Sequence, residues 1–485
     1  MLCLTLNGRT MAQNRTIFEE NAQYVHVLEL RLDTLDILDE SELEEATVFP
    51  STVDKPVILT FRRKEDGGFL DVTERRRLAV LARVFQGDFS YIDMEADVRK
   101  PSLEAYAKSR GIPIIRSMHF MEGFPDNLSL KATRIASKGD IPKIAVRVDG
   151  VKDLTKLFKL SVQLSHIDDK ILIGMGEYGL PSRILYKKLG SCITFCAAED
   201  PSGVGLPSPK TLAELYRAHE IDAATRVYGV VGKPVGHSIS PAIHNQGFHK
   251  LGYNAVYVPF NVDDVRSFFA FADMIGIRGF SVTVPHKMAV IPYLSRIPRE
   301  VKQLGACNTV VREHGSWNGS NTDYYGFLSL ISEPLSRGRI QSAIVIGAGG
   351  AARAVVWALR NKGISVTILN RTVANARRLA LETGSSFGSL DDAGSYRGTS
   401  QLIVQASSAG MDEPFVDAVP SLEFDGDEIV CDMVYRPHET AFLKRASDAG
   451  CNVIHGLDML LSQGKLQFKA FTGFDYPLDD GHLGL

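Results

Sequence analysis

The sequence predicts an α/β protein in which a closed parallel β/α barrel is followed by a bilobal α/β region. The first observation is a series of eight short β-rich runs that alternate with amphipathic, helix-length segments over about 220 residues. The second is a polar, pattern-poor stretch at 216–226, after which new β/α units begin. The third is a glycine-rich strand–helix unit that opens near residue 340.

The eight β-rich runs are the predicted barrel strands. They are Leu2–Leu6, Tyr24–Leu30, Pro56–Phe61, Tyr91–Met94, Pro113–Arg116, Lys143–Val148, Lys170–Gly174 and Ser191–Cys196. Amphipathic segments such as Glu74–Phe85 and Lys152–Leu164 supply the outer helices. An open doubly wound sheet is the alternative arrangement. Because active-site groups of a barrel lie at the carboxyl ends of its strands, the polar residues that close these runs are the catalytic candidates.

A chain of 485 residues is too long for one ordinary hydrophobic core, so we expect several domains. The predicted limits are 1–222 for the barrel, 226–328 together with 455–485 for a substrate-binding domain, and 335–454 for a nucleotide-binding domain.

Composition excludes several classes of function. With 45% hydrophobic residues, 23% charged residues and a net charge of -3, the chain is typical of a globular protein and unsuited to a nucleic-acid partner. The first apolar run is too short for an export signal, and no run reaches the ~18 apolar residues of a membrane span. We therefore expect a cytoplasmic protein without membrane partners. The six scattered cysteines predict buried thiols and no metal site, and the oligomeric state stays open.

The glycine-rich unit has the features of a dinucleotide-binding turn. An apolar strand, Ser342–Ile346, runs directly into a G-x-G-x-x-A turn and an alanine-rich helix, with a second strand at Ser365–Leu369. Such glycines allow a tight turn and close approach of the backbone to a pyrophosphate, whose charge is met by free N–H groups at the helix start. The predicted cofactor-binding residues of this turn are Gly347, Ala348, Gly349, Gly350 and Ala351.

The end of the second strand indicates which dinucleotide binds. An NAD site would end this strand in an acidic residue that accepts a hydrogen bond from the ribose 2′-hydroxyl. Here the sequence is Asn370-Arg371-Thr372, a donor-rich set that suits a 2′-phosphate. NADP is therefore the predicted cofactor. The alternative for Arg371 is a solvated loop charge.

Polar motifs precede the dinucleotide-binding unit. In KPVGHSISPAIHN, an extended backbone would place the hydroxyls of Ser238 and Ser240 on one side, where they could bind a carboxylate. The alternative is an ordinary helix start with serine caps. Three further motifs follow, VTVPHK, GACNTV and NTDYYGF, with the polar candidates Thr283, Lys287, Asn308, Asn321, Asp323 and Tyr324.

Across residues 227–480 these motifs, with NRT, DMVYRPHET and GLDMLLSQGKLQF, resemble the shikimate dehydrogenase family in its order. The resemblance implies a Rossmann NADP-binding domain and a catalytic pair of Lys287 and Asp323. An ammonium held by a carboxylate is a positioned proton source for reduction of a ketone. Tyr435 resembles the family residue that lies near substrate and nicotinamide. The shikimate-binding residues that the resemblance implies are Ser238, Ser240, Thr283, Asn308, Asp323 and Gln463.

In the barrel, Lys143 is the residue that most needs an explanation, because it opens the apolar run KIAV. It must either extend outward to solvent or be desolvated inside, where a lysine amine becomes nucleophilic toward a ketone. Both readings fit the pattern. The other polar or sulfur-bearing candidates near strand ends are Glu29, Arg31, Arg62, His119, Met175 and Arg183.

Across residues 1–220 the motifs E-x-R, T-F-R, S-x-H, K-I-A, M-G and S-R resemble type I 3-dehydroquinate dehydratase. The resemblance implies that Lys143 forms an imine with the substrate ketone and that His119 is the general base and acid. Arg183 is expected to bind the substrate carboxylate. The remaining implied substrate residues are Glu29, Arg31, Arg62 and, in the closing loop, Ser202.

Two positions depart from that pattern. Leu206 stands where the family's closing loop has glutamine, so one substrate hydrogen bond is expected to be missing. The acid that orients His119 is either Glu65 or Asp66, because RRKEDGG allows both offsets.

The combined expectation is a bifunctional enzyme that dehydrates 3-dehydroquinate and then reduces 3-dehydroshikimate to shikimate with NADPH. One alternative is a class I aldolase barrel joined to a quinate dehydrogenase. Another is a metabolite-sensing regulator, which the presence of Lys143, His119 and Lys287 disfavours.

Overall fold

The computed structural model describes residues 1–200, 205–411, 413 and 415–477. Ser202 of the predicted closing loop lies outside the described residues, as does the end of the segment 455–485. The chain divides into two compact units, Met1–Ile277 and the part from Arg278 onward. A compact unit is not necessarily a folding domain, so the predicted domain limits stay predictions.

Within residues 1–200, eight parallel strands follow one another around a barrel in the order β7-β6-β5-β4-β3-β2-β1-β8. Between β7 and β8 the ring is completed by hydrogen bonds from Cys192 N to Lys170 O (2.9 Å) and from Leu172 N to Ser191 Oγ (3.0 Å). The predicted barrel is confirmed, and the open-sheet alternative is wrong. The strands are β1 Leu2–Leu6, β2 Val27–Arg31, β3 Val57–Thr60, β4 Tyr91–Glu95, β5 Ile114–Phe120, β6 Ile141–Arg147, β7 Ile171–Met175 and β8 Thr194–Cys196.

Apolar side chains from most of these strands fill the barrel interior, among them Val27, Ile58, Ile115 and Ile173. Strands buried on both faces read as continuous apolar runs, which is why eight such runs were visible in the sequence. The connecting helices are α1 Met11–Asn21, α2 Glu40–Val48, α3 Glu74–Val84, α4 Pro101–Ser109, α5 Leu128–Ala136, α6 Val151–Gln163 and α7 Leu180–Ile184.

The first unit continues past the barrel with two parallel strands and two helices. Strands β9 Arg226–Gly232 and β10 Ala255–Asn261 pair in register. Between and after them lie α8 Ser240–Lys250 and α9 Val265–Ile275. The Asp264 carboxylate caps α9, and Gly276 ends it in the left-handed conformation (φ 74°), which glycine adopts at little cost.

The second unit opens with an antiparallel group, β11 Ile277–Val282, β12 Thr309–Glu313 and β13 Ser316–Ser320. Helices α10 Arg299–Leu304, α11 Thr322–Leu330 and α12 Ser332–Ser336 belong to the same stretch of chain. Helix α11 packs closely against the last helix, α16 Gly456–Thr472. A Cβ on Gly326 would lie 2.9 Å from the backbone N of Gln463, so this approach requires glycine.

The nucleotide-binding part is a six-stranded parallel sheet in the order β16-β15-β14-β17-β18-β19. This is the doubly wound 3-2-1-4-5-6 order of a Rossmann domain, as predicted. Apolar clusters cover both of its faces. Its elements are β14 Ser342–Ile346, α13 Gly350–Asn361, β15 Ser365–Asn370, α14 Val373–Thr383, β16 Ser386–Ser389, β17 Leu402–Gln405, β18 Ile429–Asp432, α15 Ala441–Asp448 and β19 Asn452–Ile454.

Across the residues that the structure describes, no helix is both long and apolar enough to cross a membrane.

Candidate active sites

One cavity in the barrel collects the predicted dehydratase residues. Its lining includes seven residues predicted from the sequence, namely Glu29, Arg31, Arg62, His119, Lys143, Met175 and Arg183. Asp66, one of the two acids predicted to orient His119, and Leu206 of the predicted closing loop also line it. The sequence prediction did not select three other lining residues, Thr5, Met121 and Phe195. The carboxyl-end rule for barrels therefore selected the correct end of most strands.

Lys143 is one of three deeply buried cations of this cavity, with Arg62 and Arg183. It is the third residue of β6, which begins at Ile141, and its side chain is 5% exposed. Its Nζ lies 2.9 Å from Asp93 Oδ2 and 3.3 Å from Glu29 Oε1, and 4.0 Å from the centroid of the Phe195 ring. The alternative in which Lys143 extends to solvent is wrong, because the strand register directs its side chain into the barrel.

Glu29 is fixed from three sides. Its Oε2 accepts a hydrogen bond from Thr5 Oγ1 (3.1 Å), and its Oε1 accepts one from Thr60 Oγ1 (3.0 Å) besides contacting Lys143. Burial opposes ionisation, but the positive charges of Lys143 and Arg31 hold the pKa of Glu29 below its ordinary value. Glu29 is therefore an anion in the resting site.

Asp93 is the main residue that the sequence prediction missed. It lies in the middle of β4, is buried, and contacts both Lys143 and Arg62. Although burial opposes ionisation, Arg62 and Lys143 hold the pKa of Asp93 well below its ordinary range. A polar pair inside an apolar run, here Asp93 and Glu95 in YIDME, was the signal that could have identified it.

Two arginines of the cavity are themselves held by carboxylates. Arg62 contacts Asp93 through Nη2 (2.8 Å) and donates from Nη1 to Ser117 Oγ (2.6 Å). Arg31 donates to both oxygens of Asp33, at 2.8 and 2.7 Å. These bidentate or doubly anchored guanidiniums have little rotational freedom, so they present their remaining N–H groups in fixed directions.

His119 lies on β5, the strand beside Lys143. Ser117 pairs with Lys143 and His119 with Ala145, so His119 and Lys143 project from the same face of neighbouring strands. Its Nδ1 is buried and has no hydrogen-bond partner among the described residues. Burial, followed by the positive charges of Arg62 and Lys143, holds the pKa of His119 well below its ordinary value. The imidazole is therefore neutral at neutral pH, as a general base must be.

Of the two acids considered for orienting His119, only Asp66 lines the cavity. Its Oδ2 accepts a hydrogen bond from Arg63 Nε (2.7 Å), whereas Glu65 is exposed. The geometry favours Asp66 over Glu65, and the orienting role itself stays a prediction.

Arg183 is buried, and the negative charge of Asp200, which raises the pKa of Arg183, offsets only part of the effect of burial. Its Nη1 reaches only the Phe195 carbonyl at 3.5 Å, and its Nε has no hydrogen-bond partner within the described part of the chain. Burial lowers the pKa of Arg183 to about 10. A buried guanidinium with unpaired N–H donors in a pocket fits an anionic substrate group.

Leu206 also lines the cavity, while the backbone N–H groups of Gly205 and Leu206 donate to Asp200 Oδ2.

In the second unit, the glycine-rich turn has room for a dinucleotide. Gly347 has φ 111° and donates to Leu369 O (2.8 Å), and a Cβ there would lie 3.0 Å from the Ala406 carbonyl carbon. At Gly349 an added Cβ would meet no described atom within 4 Å. Open space above the N-terminus of α13, with free backbone N–H groups, fits a pyrophosphate. The half-buried Ala348 and Ala351 accompany Gly350 in this turn.

The end of β15 carries the predicted 2′-phosphate residues. Asn370 Nδ2 donates to Thr372 O (2.9 Å), which shapes the turn. Arg371 and Thr372 are exposed there. An exposed guanidinium at this strand end is accessible to a phosphate, so the donor set fits NADP.

Lys287 and Asp323 form an ion pair beside the glycine-rich turn at Gly347–Gly350. Lys287 Nζ lies 2.5 Å from Asp323 Oδ2, in the first turn of α11, whose start is capped by the Asn321 side chain accepting from Tyr324 N (3.2 Å). A Cβ on Gly350 would lie 3.7 Å from Lys287 Cδ. The predicted catalytic pair is therefore adjacent to the dinucleotide-binding turn.

Two of the other predicted substrate residues of this unit, Asn308 and Gln463, belong to a buried amide network. Asn308 Oδ1 accepts from Thr322 N (2.8 Å), and Asn308 Nδ2 donates to Thr322 Oγ1 (2.9 Å) and lies 3.5 Å from Gln463 Oε1. Thr283, directly after β11, is half-buried. Tyr435 is also half-buried, and burial raises the pKa of its phenol.

Ser238 and Ser240 lie in the first unit. The expected extended backbone is wrong here, because Ile239 has helical angles (φ -87°, ψ -2°) and α8 begins at Ser240. Ser238 Oγ accepts from Ser240 N (3.2 Å), so a serine hydroxyl binds the helix start as in the alternative, although the N-cap residue itself is Ile239 and makes no side-chain cap. A shared carboxylate site at the two hydroxyls stays a prediction.

Asp432 is a second buried acid that the sequence analysis did not select. It ends β18 and accepts hydrogen bonds from Thr440 Oγ1 (2.7 Å) and Val434 N (2.9 Å), while burial raises its pKa to about 6. These bonds fix the backbone just before Tyr435. Its position at a strand end, in DMVYRPHET, was the available signal.

The two sites define a two-centre enzyme that joins a lysine-containing barrel to a dinucleotide-dependent oxidoreductase. Comparison with known families gives three matches. The model described as type I 3-dehydroquinase matches residues 2–223, the shikimate dehydrogenase substrate binding domain matches 230–310, and shikimate / quinate 5-dehydrogenase matches 330–417.

Similar proteins agree with these matches. The chloroplastic bifunctional 3-dehydroquinate dehydratase/shikimate dehydrogenase of Arabidopsis thaliana is 33% identical over 481 residues, which cover 93% of this chain and 78% of that protein. The NADP(+) shikimate dehydrogenase of Desulforamulus reducens is 40% identical over 278 residues, 53% of this chain and 94% of that protein. The crystal structure of shikimate dehydrogenase from Aquifex aeolicus has 35% identity and a TM-score of 0.49, covering 53% of this chain and 96% of that one.

The chain therefore belongs to the bifunctional 3-dehydroquinate dehydratase/shikimate dehydrogenase family. It is an enzyme with both activities, and its cofactor is NADP(H). The aldolase–quinate dehydrogenase and sensor alternatives are wrong.

Proposed function

We propose that the barrel dehydrates 3-dehydroquinate through an imine on Lys143, and that the second half reduces the resulting 3-dehydroshikimate to shikimate with NADPH. The observation that carries the first step is the buried Lys143 ammonium between Asp93 and Glu29, beside a neutral His119.

Attack on the ketone requires the neutral amine, so the Lys143 ammonium first gives a proton to water, and a proton is taken back when the imine becomes protonated. The amine then adds to the ketone carbon, and loss of water from that adduct forms the imine. The neighbouring anions Asp93 and Glu29 stabilise the positive charge of the protonated imine. This cation withdraws electrons from the adjacent carbon and so makes its C–H bond acidic.

His119 then removes that proton as general base, which leaves an enamine on Lys143. The same imidazole gives the proton to the hydroxyl on the next carbon, which departs as water. Hydrolysis of the imine releases 3-dehydroshikimate and restores the lysine. One water is consumed and two are released, so the net change is the loss of one water.

The remaining barrel residues hold the substrate. Arg183 binds its carboxylate, because its guanidinium is the buried cation with unused donors. Hydroxyl groups of the substrate are bound by Glu29, Arg31 and Arg62, with Ser202 contributing from the closing loop. The Leu206 side chain cannot form a hydrogen bond with the substrate, so the affinity for substrate is lower than it would be with glutamine at this position.

In the second half, the turn at Gly347–Gly350 and the exposed Arg371 hold the pyrophosphate and the 2′-phosphate, and NADPH when bound supplies the hydride that reduces the ketone. Lys287 donates the proton to the ketone oxygen, with Asp323 fixing the ammonium at 2.5 Å. Substrate contacts come from Ser238, Ser240, Thr283, Asn308, Gln463 and Tyr435.

Incubation of the full chain with 3-dehydroquinate and NADPH tests the proposed sequence of reactions. Shikimate formation and loss of nucleotide absorbance are followed together, with NADH in parallel. We expect one NADPH consumed per shikimate formed and much slower turnover with NADH. Accumulation of 3-dehydroshikimate without oxidation of NADPH contradicts the second step, and recovery of unchanged 3-dehydroquinate contradicts the first.

A further inference from the structure

The side-chain amide of Asn261 joins the barrel to the segment that carries the two serines. Asn261 is the last residue of β10 and is buried. Its Nδ2 donates to Glu177 Oε1 (3.0 Å) and lies 3.4 Å from Glu177 O, while its Oδ1 accepts from Val235 N (3.0 Å). One planar amide thus contacts two loops at once, and rotation of either loop disturbs the other contact.

On the barrel side, Glu177 belongs to the loop that leaves the dehydratase cavity. Met175, two residues earlier, lines that cavity. The intervening Gly176 has φ 82°, and a Cβ on Gly205 would lie 3.0 Å from the Gly176 carbonyl oxygen. Gly205 precedes Leu206, another lining residue. The loop held by Asn261 therefore adjoins both a wall of the cavity and the described residues Gly205 and Leu206.

On the other side, Val235 belongs to the loop that leads to the serines. Ser238 N donates to Val235 O (3.1 Å), and Ser238 Oγ accepts from Ser240 N. Val235 therefore shares one hydrogen-bonded turn with Ser238. The position of Val235 determines where the Ser238 hydroxyl lies at the start of α8.

Other contacts also join the barrel to the chain around β9 and β10, including Lys233 Nζ at 5.6 Å from the centroid of the Tyr178 ring. Val151 N, in the first turn of α6, donates to Asp263 Oδ1 (3.1 Å). The rings of Phe158 and Phe271 pack edge to face at 5.3 Å between α6 and α9. These contacts hold the chain after β10 against the barrel.

We propose that Asn261 is a positioning residue that couples the two active sites. Ligand in the barrel orders the loop at Gly176–Gly179 and, through the Glu177–Asn261–Val235 contacts, the loop that presents Ser238 and Ser240. The second site then binds substrate with less loss of conformational freedom, so its affinity rises. The inference rests on the proposed function in that it takes the two serines as shikimate ligands.

The test compares dehydrogenase kinetics with the barrel site free and permanently occupied. The full chain is treated with 3-dehydroquinate and borohydride so that ligand stays attached to Lys143, and shikimate oxidation by NADP⁺ is then measured. A mock-treated sample receives borohydride alone. Occupancy of the barrel is expected to lower the KM for shikimate about fivefold with little change in kcat, the size of a modest coupling between sites.

Two variants separate the contribution of the Glu177–Asn261 contact from that of the Asn261–Val235 contact. Asn261→Ala removes both contacts, so we expect the KM for shikimate in the untreated enzyme to rise about fivefold, the usual effect of a lost buried hydrogen bond, and the response to occupancy to disappear. Glu177→Ala removes the Oε1 contact (3.0 Å) but keeps the Asn261–Val235 contact and the longer contact of Asn261 with Glu177 O (3.4 Å), so the untreated KM stays near that of the wild type while the response to occupancy is weakened.

Asn254→Ala is the matched control. Asn254 immediately precedes the same strand and donates to Asp222 Oδ1 (3.3 Å), but it contacts neither loop. It should retain the full response.

An unchanged or increased KM in the occupied wild-type enzyme overturns the inference, as does a full response in Glu177→Ala. If Asn261 had a merely structural role, Asn261→Ala would lower kcat of both activities and the unfolding temperature together. Glu177→Ala would then keep its response to occupancy. Failure of the proposed function is distinguishable, because it appears as missing dehydratase or dehydrogenase activity in the untreated wild type.

Discussion

The two lysines proposed for catalysis have opposite surroundings. Lys143 has a side chain that is 5% exposed and lies between two carboxylates and an aromatic ring. Lys287 has a side chain that is 19% exposed and contacts a single carboxylate at the edge of the dinucleotide-binding turn. One is enclosed in a barrel interior, and the other lies where a helix start and a loop meet.

This difference accounts for two kinds of chemistry from one functional group. A covalent intermediate needs a closed site that excludes water and supplies compensating charge while the amine is converted to an imine. A proton donor needs only to be held near the reacting oxygen and to regain its proton from solvent after each turnover. The enclosed position of Lys143 and the partly exposed position of Lys287 match these two demands.

The largest expected effect comes from removing the enclosed lysine. Lys143→Ala should lower dehydratase turnover by about 10⁴-fold or more, because no other group can form the imine. Dehydrogenase activity of the same sample, measured without barrel ligand, should stay within about twofold, since Lys143 takes no part in hydride or proton transfer at the other site. Lys170→Met is the control, because Lys170 is also buried in the barrel but binds only the Ile167 carbonyl among described partners. Equal loss in both variants would contradict the assignment.

Removing Lys287, the partly exposed lysine, should have the next largest effect. Lys287→Ala is expected to reduce dehydrogenase kcat by about 10³-fold with little change in the KM for shikimate, because general acid catalysis typically contributes 10²–10⁴-fold. Dehydratase activity serves as the internal control. Near-normal turnover, or a KM effect without a kcat effect, would assign Lys287 to binding instead.

Arg183 tests whether the barrel also carries an anion site. Arg183→Ala should raise the KM for 3-dehydroquinate about 30-fold, which corresponds to about 2 kcal/mol for a buried charge-assisted contact. Arg183→Lys should recover part of that loss, because it restores the charge without the bidentate geometry. Steady-state kinetics over a range of substrate concentrations provide the check, and a defect confined to kcat speaks against carboxylate binding.

Arg371 tests the cofactor preference. Arg371→Ala should raise the KM for NADPH about tenfold and leave that for NADH unchanged, because only NADPH carries the 2′-phosphate. Arg360→Ala would be a poor control, since Arg360 supports the backbone at Thr383 and Ile364. Arg378→Ala on the exposed side of α14 is suitable. Parallel loss with both nucleotides would show that Arg371 supports the fold instead.

The smallest effect is expected at the closing segment. Leu206→Gln should lower the KM for 3-dehydroquinate about threefold, the contribution of one added hydrogen bond. Leu206→Met, which adds no hydrogen-bonding group, separates this gain from a change in packing. A higher KM in Leu206→Gln would show that the apolar contact of Leu206 with the barrel interior matters more.

Much of the fold could be predicted because it depends on local patterns. Buried parallel strands give apolar runs, and the turn at Gly347 needs left-handed backbone angles that glycine supplies. Lys143, His119 and Arg183 were identified because they interrupt or follow such runs.

The remaining features depend on contacts between distant parts of the chain. Asp93 reads as part of an ordinary strand until β4 and β6 are placed on one barrel wall, 50 residues apart in sequence. The contact of Asn261 with Glu177 joins residues 84 positions apart. Ser238 and Ser240 were misjudged in backbone conformation because a serine-rich stretch is compatible with either an extended segment or a helix start.

Borohydride reduction in the presence of 3-dehydroquinate, followed by peptide mass analysis, detects the Lys143 imine directly. We expect a stable adduct on the peptide that contains Lys143, absent from Lys143→Ala and from samples without substrate. No adduct, or an adduct on a different lysine, would contradict the proposed imine and with it the distinct roles of the two lysines.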